Sequence, residues 1–171
     1  MSAKRIVKIA SWSLYDLAVK FFTLNIVSLH FVRWLTIKRG MPDIYYSLAF
    51  GASMLVVVLF SPVIGKISDI SGRKKLILTV FTLTTACLIG LLGFTYNLGV
   101  ALVLFAFANL FLQLAVIIYN SLITAVAPVK KMGFVSGFGK MFGFIGAIGI
   151  LYLMKPIVIN YGYHPLFFVS G

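Results

Sequence analysis

Five long apolar runs divide the chain, at about residues 9–35, 44–64, 76–95, 98–119 and 134–154. Polar segments that contain Gly40 and Pro42, Gly65 to Lys75, Tyr96 and Asn97, Asn120 to Gly133, and Lys155 to Pro165 separate them. A hydrocarbon core about 30 Å thick takes roughly 20 residues of helix, so each run has the length of one transmembrane helix. A sixth apolar stretch starts near His164, at about residue 164, and ends with the sequence at Gly171, too short to cross. The pattern predicts an all-α polytopic membrane helix bundle of five full spans plus the start of a sixth. Residues 1–171 are then expected to form one incomplete transmembrane domain, cut off at the start of a helix.

Composition agrees. The chain is 61% hydrophobic and 11% charged, with mean hydropathy +1.08. A soluble domain is about 45–50% apolar and about 25% charged, so soluble enzymes, disordered tails and disulfide scaffolds are excluded. The single cysteine, Cys87, lies in an apolar run, reads as a small buried residue, and rules out a disulfide framework within the chain. The N-terminus is basic but lacks a cleavage site, and its apolar segment carries Asp16 and Lys20, so it reads as a retained span rather than a removed signal.

The net charge is +12, from 15 basic and 3 acidic residues. In so apolar a chain, basic residues orient helices and no nucleic-acid partner is implied. One side of the five spans would hold nine of them: Lys4, Arg5, Lys8, Lys66, Arg73, Lys74, Lys75, Lys130 and Lys131. The other would hold four, Arg33, Lys38, Arg39 and Lys155, which places the N-terminus in the cytoplasm of a cell-membrane protein. Trp12 and Trp34 then fall at the two ends of the first span, as interfacial anchors do.

Charges inside the bilayer are costly and mark candidate chemistry. Counting from Ile9, Asp16 is ~10 Å deep and Lys20 ~16 Å deep, and their spacing puts them on one helix face where they can pair. In the fifth span Lys140 is ~9 Å deep, level with Asp16. This trio is net positive, and an anionic group on a solute would offset the excess. A proton carried by Asp16 or by a lysine is the other use of such a trio, and no cofactor or metal is called for. Asn109 and Gln113 share a face of the fourth span, with Asn109 near mid-membrane; Asn25 lies nearer the outer end of the first. His30 and His164 are isolated, without metal-ligand spacing. Gly139, Gly143, Gly146 and Gly149 strip side chains from one face of the fifth span, which suits close packing on a neighbouring helix.

Between the second and third runs stands Gly65-Lys66-Ile67-Ser68-Asp69-Ile70-Ser71-Gly72-Arg73-Lys74-Lys75. Gly65 allows close helix approach, Gly72 permits a tight reversal, and Asp69 sits among bases with which it can pair. This segment resembles the signature loop of the major facilitator superfamily, G-x-x-x-D-[RK]-x-G-[RK]-[RK], with Ile70 at the usually basic position. Two further blocks, Trp12-Ser13-Leu14-Tyr15-Asp16-Leu17-Ala18 and Tyr119-Asn120-Ser121-Leu122 with Ala127-Pro128 and Val135-Ser136-Gly137-Phe138-Gly139, resemble the branch of autophagy-related vacuolar amino-acid effluxers. The resemblance implies the N-terminal half of a twelve-helix transporter that works by alternating access on amino acids or other small organic ions. It implies that spans one and four line a central cavity, that the glycine-rich fifth span lies at a moving interface, and that Asp69 with Arg73, Lys74 and Lys75 gates the conformation. Its partners would be the lipid bilayer, a small solute, and a missing C-terminal half or a second copy. A non-transporting truncated remnant, or a small membrane protein dimerising through the glycine face, is the alternative. No P-loop, dinucleotide fingerprint or nucleophile elbow is present, so no enzyme is expected.

Overall fold

The computed structural model describes residues 3–170, apart from the side chains at 3–8, 157, 161, 164 and 168–170. The side chains of Lys4, Arg5, Lys8 and His164 therefore lie outside the described residues. Within those residues the chain is helical with no strand, and five helices are long and apolar enough to cross a membrane.

Helix α1, Ala3–Phe22, continues unbroken through a π-helical stretch at Thr23–His30, an α-helical turn at Phe31–Arg33 and a second π-helical stretch at Trp34–Lys38. Side-chain donors accompany the change of pitch. Thr23 donates to the Val19 carbonyl, Asn25 to that of Phe21 and Thr36 to that of Val32, each four residues back. From the next long helix the Tyr46 hydroxyl donates to the Val27 carbonyl at 2.7 Å. Helix α2 spans Asp43–Ser71, α3 Lys74–Leu92 and α4 Leu98–Ser121. A short α5, Ile123–Val126, and a 3-10 turn at Val129–Lys131 lead into α6, Met132–Tyr161, which is followed by α7, Tyr163–Ser170.

Glycines and a cap set the reversals. Gly40, Gly72 and Gly162 have φ of +65°, +63° and +84°, the left-handed region open to glycine. Asn97 caps α4, its side-chain oxygen accepting from the Gly99 and Val100 amides. Two helices outrun their apolar stretches. Helix α2 passes through Pro62 and takes in Gly65 to Ser71, so the turn to α3 is only Gly72 and Arg73. Helix α6 passes through Pro156 to Tyr161. In each case the backbone ladder continues until the first left-handed glycine, whatever the polarity of the side chains on the way.

Helix α1 packs along α6, α4 packs against both α3 and α2, and α7 lies against α3. The most polar span is also one of the two most interior. Helix α1 has mean hydropathy 1.2 against 2.0–2.5 for the others, yet 44% of its apolar window is buried, matched by α4 and compared with 11–17% elsewhere. Polar groups in α1 thus face protein rather than lipid, the arrangement under which a bilayer tolerates them. One core, built on Phe22, Ile26, Phe31, Leu35, Phe105 and Leu92, fills the half of the bundle away from the N-terminus. Phe31 and Phe105 stack there at 4.4 Å. A smaller core of Trp12, Tyr119, Ala127 and Val135 fills the other end. Asp16 falls between the two along α1.

Candidate functional site

The site begins with the seam between α1 and α6, which run side by side in the same direction. Gly139 meets Trp12, Gly143 meets Asp16 and Gly146 meets Leu17. A Cβ at Gly143 would stand 2.7 Å from Asp16 Oδ2 and 3.2 Å from the Asp16 backbone carbonyl. A Cβ at Gly139 would overlap the Trp12 ring, and one at Gly146 the Leu17 side chain. Missing side chains on α6 thus let α1 close onto it, and the face of Gly139, Gly143 and Gly146 is occupied within the chain. It is not free, in this conformation, to dimerise. Gly149 is exposed, and a Cβ there, or at Gly65 of α2, would meet nothing within 4 Å.

Asp16 is 5% exposed, and its Oδ2 has no hydrogen-bond partner. The expected pair with Lys20 does not form: among the described residues the ion pair present is Lys74 with Asp69. Lys20 instead lays its ammonium over the Phe144 ring, 4.7 Å from the centroid. Lys140, one turn before Phe144 on α6, is exposed. Both lysines still act on Asp16 through space. The carboxylate is therefore held in a field of two cations without contacting either, against a helix face with no side chain in the way.

The polar residues of α1 and α4 farther along do not join this cluster. Asn109, fully buried, donates to Ser53 Oγ of α2 at 2.8 Å, and Ser53 donates on to the Phe50 carbonyl. The Asn109 oxygen is left without a partner, as is that of Asn25. Gln113 is partly buried. Both ring nitrogens of buried His30 lack hydrogen bonds, with Tyr163 edge-on at 6.0 Å. No three His, Cys, Asp or Glu side chains among the described residues are grouped as a metal site would need. Cys87, read from its apolar surroundings as buried, is exposed. The buried face of α3 is that of Thr85, Ile89 and Leu92, and Cys87 projects away from it.

Sequence reasoning missed an aromatic cleft beside Asp16. Trp12, read above as an interfacial anchor, is buried and stacks on Tyr119 at 4.7 Å, and the Tyr119 hydroxyl donates to the Trp12 carbonyl at 2.8 Å. Tyr15 packs on Tyr119 and shares a 2.8 Å hydrogen bond with Thr82 of α3. With Ser11 and Lys75 these rings line a 400 Å³ cleft. The signal was present in the Trp-x-x-Tyr-Asp spacing of α1, which puts one aromatic a turn before Asp16 and another directly before it. Which rings they meet on α4 could be learned only from the fold.

At the α2–α3 turn, Asp69 pairs with Lys74. Both side chains are partly or largely exposed, 67% and 26%, so the pair contributes little stability. The charges also oppose the helix dipoles. Asp69 lies in the final turns of α2, where the helix end is negative, and Arg73, Lys74 and Lys75 lie at the start of α3, where it is positive. Each such placement costs about 0.3–1 kcal/mol. Local stability alone does not select this arrangement.

A family model described as Major Facilitator Superfamily matches residues 6–171. An uncharacterized protein of Aquifex aeolicus (strain VF5) is 28% identical over 153 residues, which is 88% of this chain and 39% of that protein. The multidrug resistance protein MdtG of Proteus mirabilis (strain HI4320) is 33% identical over 133 residues, 75% of this chain and 32% of its own length. The chain therefore spans about a third to two-fifths of the length of the curated relatives it matches. No solved structure matches it.

Proposed function

The chain belongs to the Major Facilitator Superfamily, and on that premise we propose that it supplies one helix bundle of a secondary transporter that works by alternating access. It is a multi-pass membrane protein; the basic residues support a place in the cell membrane with the N-terminus in the cytoplasm. One observation carries the reading: Asp16, a buried carboxylate without a hydrogen-bond partner at Oδ2, deep in the most polar span and under the influence of Lys20 and Lys140. Ionisable groups within membrane spans are rare and mark substrate or ion pathways by default.

The roles follow from charge. Lys20 and Lys140 exceed Asp16 by one positive charge, which favours a solute with an anionic group. Amino acids or other small organic ions fit, and the Trp-x-x-Tyr-Asp opening supports the vacuolar effluxer-like branch. Asp16 carries the coupling proton, and no cofactor takes part. Asn109, Gln113 and Asn25 add polar contacts farther along the pathway. Asp69, Arg73, Lys74 and Lys75 steady one conformation by meeting the opposite bundle, from a C-terminal half or a second copy. That contact would account for charges set against their own helix dipoles.

Uptake into proteoliposomes holding the chain under an imposed pH gradient tests this. Solutes with a carboxylate should accumulate. Lys20→Gln should raise their KM about tenfold, and Asp16→Asn should abolish the gradient's effect while leaving solute exchange. Preference for drug-like solutes without a carboxylate would instead align the chain with the function in the name of the Proteus relative and reject the anionic class. No accumulation by the chain, either alone or joined to an opposite helix bundle, would favour the alternative, a non-transporting remnant.

A further inference from the structure

We propose that the cleft where α6 begins binds an anionic phospholipid by its headgroup. The cleft encloses 330 Å³ between the start of α1 and the linker that joins α5 to α6, a volume within the range of small-molecule sites. Ile9, Ala127 and Val135 give it an apolar floor, with Ala127 and Val135 only 4% and 6% exposed. Phe134 stands at its side, 78% exposed, and Lys130 and Lys131 stand at its mouth, both exposed.

Charge accounting points to what the cleft takes. The chain has only three acidic residues. Asp69 is paired with Lys74. Asp43 opens α2, at the opposite end of the bundle. Asp16 is shut into the α1–α6 seam. Among the described residues no carboxylate pairs with Lys130 or Lys131. Their counter-charge comes from outside the chain, at the level where α1 and α6 enter the membrane. A soluble phosphate would meet the two lysines but leave the apolar floor and the exposed Phe134 unused. A phospholipid meets both: its phosphodiester lies on the lysines and its glycerol and first methylenes on Ile9, Ala127 and Val135. Each lysine near a net negative headgroup strengthens binding about fivefold, and the choline ammonium of a zwitterionic lipid offsets its phosphate, so the pair favours an anionic lipid by roughly 25-fold.

Native mass spectrometry of the purified chain in detergent, titrated separately with phosphatidylglycerol, phosphatidylcholine and inorganic phosphate, tests the site. Phosphatidylglycerol should be retained in preference to phosphatidylcholine. K130Q/K131Q should lower its affinity about 25-fold, while K130R/K131R and, at the other end of the bundle, K38Q/R39Q should keep it. Unchanged helical circular dichroism establishes that each variant folds. Equal retention of the two lipids, or full retention by K130Q/K131Q, would overturn the proposal and leave the lysines to an acidic protein surface. Displacement of phosphatidylglycerol by millimolar phosphate would also overturn it, in favour of a soluble anion. Loss in K130R/K131R would overturn it too, since either cation can hold a phosphodiester.

Discussion

Gly143 and Gly146 both face α1, but they differ in what an added methyl would strike. At Gly143 the obstacles are Asp16 Oδ2 and the Asp16 backbone, which can give way only if the whole helix moves. At Gly146 the obstacle is the far end of the Leu17 side chain, which can turn aside. Gly143→Ala is therefore expected to destabilise the bundle by about 1–3 kcal/mol, and Gly146→Ala by less than half as much. Thermal unfolding of the two variants in detergent checks the order; equal shifts would count against the seam. At this scale the sequence was legible wherever depth or spacing was enough. Asp16, Lys20 and Lys140 stand out because a charge in an apolar run is conspicuous. The partners were not legible. Four-residue spacing suggested that Lys20 would turn to Asp16, yet it turns to Phe144, 124 residues away in sequence. A cation beside an aromatic ring gives up less hydration than one locked to a buried acid, and only the packing of α6 brings that ring within reach.

Helices were legible in number because hydropathy marks membrane depth, and their ends were less so because hydropathy does not end a helix. Residues 65–71 read as loop by polarity, while the backbone keeps its ladder to Gly72, the first position with a positive φ. The same holds for α6 up to Gly162. Nothing in the pattern announces the π-helical outer half of α1, where Tyr46 of another helix reaches the Val27 carbonyl. The α2–α3 turn offers a direct check. Gly72→Ala forces a left-handed conformation on a residue with a side chain, at about 1–2 kcal/mol, and should lower the unfolding temperature although a Cβ there meets nothing within 4 Å. An unchanged temperature would mean that the turn rearranges. Asp69→Asn removes only an exposed ion pair, so stability should move by less than about 1 kcal/mol while transport falls; a large loss of stability would tie Asp69 to the fold of this bundle instead.

For the molecule as a whole, the arrangement puts the Gly72 turn and residues 122–131 at one end with the N-terminus, and Gly40, Asn97 and Gly162 at the other. In a Cys87→Ala background, cysteines at Lys130 and at Arg39 should label from opposite sides of the membrane, Lys130 from the cytoplasm. Labelling of both from one side would break the five-span topology. The α1–α6 seam also sets an order of assembly. Asp16 is covered by a helix that contributes Gly143, 127 residues later in the chain. At a synthesis rate of roughly 5–20 residues per second, α1 waits about 6–25 s before its neighbour exists. Through that interval the face of α1 that carries Asp16 lacks its α6 cover, in a segment whose mean hydropathy is only 1.2. Its early residence in the bilayer therefore depends on the insertion machinery holding it, and a ribosome stalled before α6 should leave α1 the first span to slip back out.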